Sequence, residues 1–322
     1  MAMIETINLT KRYGDLVALD SLNLTIEEGT CYGFIGPNGA GKTTTIKILA
    51  TLLKPTSGQA NVAGRTVGYQ NREIRPLIGY VPDFMGAYED MVVQEYLEFF
   101  ASAYNIAGAQ RKKVVADVLE LTDLTYKATA EVNGLSRGMQ QRLSIARVLL
   151  HDPRVLLMDE PASGLDPRAR IEIRELLKEL RRMGKTILIS SHILHELAEL
   201  CNQVGIIERG KLLFSGDVAE ILRKAKVGKV FHVAVLDRTR EAAERLSTVP
   251  GVKEIKIRRA EEGEAADAEG KLLEVSFDAK AAASPSDVPS VLINSGFRLA
   301  AFGEEPVNLE TAFMRLTKGV VQ

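Results

Sequence analysis

The sequence predicts an α/β chain with a mostly parallel sheet, followed by a smaller α+β unit, and three observations predict it. A glycine-rich loop at residues 36–43 sits between an apolar strand and an amphipathic helix. Unbroken apolar runs at residues 155–158 and 186–190 alternate with helical stretches, the order that builds parallel strands with crossover helices. Beyond about residue 226 the pattern changes to period-two strands with two short helices.

A chain of 322 residues accommodates roughly two domains of ordinary size and a substantial buried core. With 41 basic against 42 acidic residues it has no overall pull toward nucleic acid or an anionic membrane. The two cysteines, Cys31 and Cys201, suit core positions in a reducing compartment better than a disulfide framework or a thiolate metal site. The first eleven residues carry no signal segment, and no run approaches the ~18 apolar residues needed to cross a bilayer. Any membrane role is therefore expected to come through a partner.

Residues 2–35 alternate as short strands, with turns at Gly14-Asp15 and Glu28-Gly29. Residues 31–35 form a buried strand, and Ile46, Leu49 and Leu53 mark the helix that follows the loop. From residue 84 to about 132 the pattern becomes helical, with Tyr96, Phe99 and Phe100, then Val114, Val118 and Leu121, spaced for buried faces. A helix over residues 170–182 separates the two apolar runs, and residues 205–216 supply a last hairpin before a helix at 219–225.

Gly36-Pro37-Asn38-Gly39-Ala40-Gly41-Lys42-Thr43 fits the phosphate loop Gly-x-x-x-x-Gly-Lys-Ser/Thr. Small residues let backbone N–H groups close around phosphate oxygens, Lys42 adds a point charge, Thr43 offers a hydroxyl to Mg²⁺, and the helix N-terminus faces the phosphates. The run 155–158 ends in Asp159 and Glu160. Alone these carboxylates read equally as a solvated strand end. Downstream of a phosphate loop, Asp159 can hold Mg²⁺ through its water shell, and Glu160 can act as general base or position the attacking water.

These motifs, with Leu135-Ser136-Arg137-Gly138-Met139-Gln140, resemble the ATP-binding cassettes of ABC transporters over about residues 3–222. The resemblance implies a P-loop NTPase cassette with a mixed β subdomain, a RecA-like core and a helical insertion at about residues 84–150. The cofactors implied are ATP and Mg²⁺, with Thr44 joining the loop residues in the nucleotide site. It also implies that Tyr13 stacks on adenine and that His192 is the switch histidine contacting the γ-phosphate. Ser136, Arg137, Gly138 and Met139 stand where family members meet the nucleotide of the opposite subunit, and Ser163-Gly164-Leu165-Asp166 resembles the D-loop, with Asp166 coupling the two sites. Each role has a plainer competitor: Tyr13 covering a sheet edge, Ser136 and Asp166 as helix caps, and His192 with His195 as a solvated helix face or a metal pair.

Two departures bear on mechanism. Asp83 ends Ile78-Gly79-Tyr80-Val81-Pro82-Asp83 where the family usually has Gln, placing an acceptor-only anion near phosphate, with coupling to the permease and metal ligation as its candidate roles. Arg137-Gly138-Met139 replaces the usual Gly-Gly-Gln, and Arg137 reads equally as approaching the opposing nucleotide or as a solvent-facing arginine. Similar Arg-Gly-Met versions are usual in the exporter branch.

The cassette is expected to span residues 1–226, and residues 227–322 to form a regulatory or dimer-stabilising domain. Its strand and helix order, β-α-β-β-α-β, suggests a ferredoxin-like sandwich with an acidic loop at residues 261–270. An amphipathic helix capped by Asn308 closes the chain, and exporter-type cassettes often end in a helix similar to its Leu309-Glu310-Thr311-Ala312-Phe313.

The expected function is therefore that of an ATP-hydrolysing subunit working as a head-to-tail dimer, in the simplest case a homodimer. It would be peripheral at the cytoplasmic face of the membrane through a separate polytopic permease and would power transport, with export the direction that the branch implies. The alternative from another class is a soluble ABC ATPase acting on ribosomes or nucleic acid. A single phosphate loop and the lack of sustained heptads disfavour it, and no nucleic-acid partner is expected.

Overall fold

The computed structural model of the chain describes residues 2–83, 86, 91–191, 197, 199–220, 229–260, 265–277 and 286–304. The expectations for His192, His195, most of the 219–225 helix, part of the acidic loop and the closing 308–316 helix lie outside these residues. The chain divides into two compact units, 1–219 and 220–322.

The first unit holds two sheets. β1 (Ala2–Tyr13) and β2 (Leu16–Glu27) pair antiparallel, and with β4 (Ser57–Val62) and β5 (Arg65–Thr66) they form a four-stranded sheet in the order β2-β1-β4-β5. The opening strands are thus twelve residues each, longer than the sequence pattern suggests, because register shifts between residues 2 and 12 let one ladder continue through breaks in the alternation.

The second sheet has the order β10-β9-β3-β8-β7-β6, built from β3 (Cys31–Ile35), β6 (Ile78–Val81), β7 (Val155–Asp159), β8 (Thr186–Ser191), β9 (Gln203–Glu208) and β10 (Lys211–Asp217). All neighbours are parallel except the β9–β10 hairpin. Every residue of β3, β7 and β8 is buried, which explains why these strands read as unbroken apolar runs rather than alternating ones. The phosphate loop, Asp83, Asp159 and Ser190 all fall at the carboxyl ends of parallel strands, where open α/β sheets bind ligands.

α1 (Lys42–Leu49) leaves the loop and buries Ile46, Ile48 and Leu49 against the core that joins both sheets, while Leu53 lies beyond its end. After a short α2 (Asn71–Ile74) the helical insertion contributes α3 (Val93–Ala103) and α4 (Gly108–Leu121). Both pack on α5 (Arg137–Leu149). Phe99, expected inside, is 49% exposed. The buried stripe of α3 runs through Val93, Tyr96, Leu97 and Ala101, and at 100° per residue Phe99 falls beside it, edge-on to Phe100. Buried Arg142 of α5 fixes the end of α4 by donating to Thr122 O at 3.2 Å, Asp123 O at 3.1 Å and Asp123 Oδ2 at 3.1 Å. It also pairs with Glu172 of α6 (Pro167–Arg182) at 3.5 Å.

The second unit is an antiparallel four-stranded sheet of order β12-β13-β11-β14, made by β11 (Lys229–Val235), β12 (Val252–Arg259), β13 (Lys271–Phe277) and β14 (Leu299–Glu304). α7 (Thr239–Leu246) follows β11 and α8 (Asp287–Asn294) precedes β14. Phe231, Val233 and Val235 alternate with Leu273, Val275 and Phe277 on one sheet face, against Ala242, Leu246, Val288 and Leu292 of the helices. This is the ferredoxin-like topology that the β-α-β-β-α-β order calls for. No helix among the described residues is long and apolar enough to cross a membrane.

Candidate nucleotide site

The phosphate loop is shaped by close approaches that only glycine permits. A Cβ on Gly36 would lie 2.3 Å from the Ile207 carbonyl oxygen of β9. Gly41, which caps α1 at φ 111°, has Leu19 Cδ2 and the Ala18 carbonyl within 2.8 Å of the same position. From the β9–β10 turn, Gly210 N–H donates to Ala40 O at 2.9 Å, pinning the loop against its neighbouring strand.

Lys42 is only 5% exposed, yet its ammonium has three partners for its three donors. It donates to Gly36 O at 2.7 Å and Pro37 O at 3.3 Å and pairs with Glu160 Oε1 at 3.3 Å. Beside it, Thr43 Oγ1 donates to Asp159 Oδ1 at 3.0 Å, and Ser190 Oγ donates to the same oxygen at 2.8 Å. Ser190 Oγ also accepts the Glu160 N–H at 3.0 Å. Glu160 itself has φ 50°, a left-handed conformation uncommon for a non-glycine residue and often found where a site fixes the backbone. The parallel register, which sets Asp159 beside Ser190 across β7 and β8, brings these groups together.

A cleft of about 600 Å³ opens over this cluster, lined by Pro37 to Thr44, Asp159 and Glu160, with Tyr13, Leu16 and Ala18 at one side and Tyr80, Pro82 and Asp83 at the other. Tyr13 is 47% exposed, with Lys11 Nζ 5.1 Å from its ring centroid. Burial first, then the charges of Asp159 and Asp83, push the Tyr80 hydroxyl up to about 12. Gly36 does not line the cleft, and its part in the site is steric. Neither Ser136 to Met139 nor Asp166 lines it either. Ser136 caps α5, its Oγ accepting from Met139 N at 3.3 Å, and Asp166 caps α6 by accepting from Ala169 N at 3.0 Å.

Sequence reasoning missed Ser190 and Tyr80. Ser190 is the first polar residue to end an apolar run, and Tyr80 sits within the segment quoted for Asp83, so each carried a weak local signal. For Mg²⁺, no cluster of three His, Cys, Asp or Glu among the described residues is arranged to hold a metal alone. A hydroxyl and a carboxylate 3.0 Å apart beside a phosphate loop do fit this ion, which keeps several waters and takes one or two protein ligands plus substrate phosphates.

The ABC transporter family profile matches residues 19–163. The chain is 40% identical over 221 residues to the Nod factor export ATP-binding protein I of Cupriavidus metallidurans, covering 69% of this chain and 73% of that one. It is 44% identical over 212 residues to the bacitracin transport ATP-binding protein BcrA of Bacillus licheniformis, covering 66% and 68%. Among solved structures, an ATP-binding subunit of an ABC transporter matches at TM-score 0.62 and 28% identity, covering 69% of this chain and 92% of that one. A dimeric bacterial ABC transporter cassette matches at 0.60 and 30%, covering 67% and 99%, and its post-hydrolysis form bound to ADP and Pi also aligns. Phosphate loop, paired carboxylates and these likenesses converge: the chain belongs to the ABC transporter family, as an ATP-binding, ATP-hydrolysing subunit.

Proposed function

We propose that this chain energises export as a homodimeric pair of cassettes docked on a polytopic membrane permease at the cytoplasmic face of the membrane. The observation that carries the reading is the cluster beneath the phosphate loop, where Lys42 meets Glu160 while Thr43 and Ser190 converge on Asp159. The relatives named for Nod factor export and bacitracin transport support the direction, and the dimeric cassette structure supports the pairing.

In this reading residues 37–44 wrap the ATP phosphates, with Gly36 seating the loop against β9, Lys42 neutralises their charge, and Tyr13 stacks on the adenine. Thr43 and Asp159, with Asp83 as a further candidate, would hold Mg²⁺, which supplies charge neutralisation at the phosphates. Glu160 orients the attacking water and takes its proton. His192 contacts the γ-phosphate. Ser136, Gly138 and Met139 close the partner cassette's site, Asp166 links the two sites, and Asp83 and the helical insertion pass the cycle to the permease. That the signature residues lie outside their own chain's cleft supports completion in trans.

Glu160→Gln tests the scheme. The variant is expected to bind ATP, hydrolyse little and elute as a dimer with ATP on gel filtration. A persistent monomer would overturn it. Affinity capture from detergent-solubilised membranes is expected to bring down a polytopic protein, and ribosomal or nucleic-acid partners would favour the soluble alternative.

A further inference from the structure

Arg137 and Gly164 meet within one chain. A Cβ built on Gly164 would lie 2.4 Å from Arg137 Nη1, 2.7 Å from Cζ and 3.0 Å from Nη2, so the guanidinium lies directly against the glycine. Arg137 is exposed, so core burial does not force this contact. One residue on, a Cβ on Gly138 would lie 2.6 Å from Ala169 Cβ, which brings the first turn of α5 onto the backbone of α6. Further along α5, Arg142 pairs with Glu172 of α6. Three successive contacts therefore fasten α5 to α6 and to the turn before it. That turn grows out of Glu160: Ser163 N–H donates to Glu160 O at 3.0 Å, and Arg170 Nε donates to Leu165 O at 2.9 Å.

We propose that Arg137 is a positioning residue that braces the 163–166 turn from the start of α5 and, through it, the backbone of Glu160. Glu160 sits at φ 50°, so its carboxylate keeps its aim only while the groups on both sides of it are held. Ser190 holds the N–H side and the 163–166 turn holds the carbonyl side. A planar guanidinium can lie flat on a bare glycine peptide. A lysine ammonium is a compact, strongly hydrated point charge and cannot replace it. The brace acts on hydrolysis and leaves nucleotide affinity alone, because neither Arg137 nor Gly164 lines the nucleotide cleft.

The inference rests on the ATPase reading, and its test separates the two. Arg137→Ala, Arg137→Lys, Gly164→Asn and the double variant Arg137→Ala/Gly164→Asn are made in the full chain. Asparagine tolerates the left-handed backbone of position 164 but occupies the guanidinium's place. Hydrolysis, ADP binding by titration and amide exchange over residues 161–166 are measured. Each single variant is expected to lower kcat between about 10-fold and 100-fold, the scale of an ångström-sized misplacement, with KM and ADP affinity unchanged and exchange at 163–165 faster. The double variant is expected to be no slower than either single one, and Arg137→Lys not to restore the rate. Additive losses, rescue by lysine, parental kcat or unchanged exchange would each overturn the brace; additive losses with lysine rescue would instead point to direct contact with phosphate. A parental chain that hydrolyses no ATP would sink the ATPase reading, and the exchange data would still decide the contact.

Discussion

Ser190→Ala removes one oxygen that serves both carboxylate residues of the site. Ser190 is fully buried, its Oγ donating to Asp159 Oδ1 at 2.8 Å and accepting the Glu160 N–H at 3.0 Å. A hydrogen bond to a charged group contributes about 1.5–3 kcal/mol, and a buried N–H left without an acceptor costs about 1–3 kcal/mol. Because one hydroxyl makes both bonds, the two overlap, and a loss of about 3 kcal/mol is expected. Asp159 keeps the Thr43 hydroxyl, so the site loosens rather than collapses. With no tryptophan in the chain, urea unfolding is best followed by far-UV circular dichroism, alongside kcat for ATP. A parallel fall in kcat of at least about tenfold is expected, since Glu160 loses the bond that fixes its backbone. A stability loss below about 1 kcal/mol with kcat unchanged would refute the argument, because it would mean that the hydroxyl neither holds Asp159 nor orients Glu160.

Gly36→Ala forces a methyl to within 2.3 Å of the Ile207 carbonyl, so the loop must leave β9; ATP binding by equilibrium titration is expected to be lost, with destabilisation of about 1–3 kcal/mol. Tyr80 is raised from 10.0 to about 12 in the folded chain, so its contribution to stability is fully present below pH 10 and lost as pH rises through about 12. Denaturant unfolding at pH 9 and pH 11 is expected to show a fall that Tyr80→Phe reduces. Asp83→Gln removes an anion from the cleft margin and is expected to change basal or partner-stimulated hydrolysis while leaving ADP affinity within about twofold, and identical rates in both assays would count against any role for Asp83 in the cycle.

The phosphate loop, the paired carboxylates and the apolar strands before them were legible in the sequence because each is a local pattern: residues adjacent in the chain serve one strand end or one helix start. The period-two alternation of Phe231, Val233 and Val235, and again of Leu273, Val275 and Phe277, likewise marked two strands, and their pairing put both sets in one core. Tyr96 is buried as expected, but Phe99 misled because helical spacing marks a stripe without fixing which way it is turned, and α3 buries Leu97 in its place.

By itself, then, the sequence determined that this chain carries a phosphate loop and, at the end of a later apolar run, a pair of carboxylates. What the tertiary structure decided is how those groups are held. Ser190 reaches Asp159 from 31 residues away only because β7 and β8 pair in that register, and Arg137 reaches Gly164 only because Gly138 lets α5 seat on α6. Strand register and helix approach are set by contacts between distant segments, and no short window of sequence encodes them.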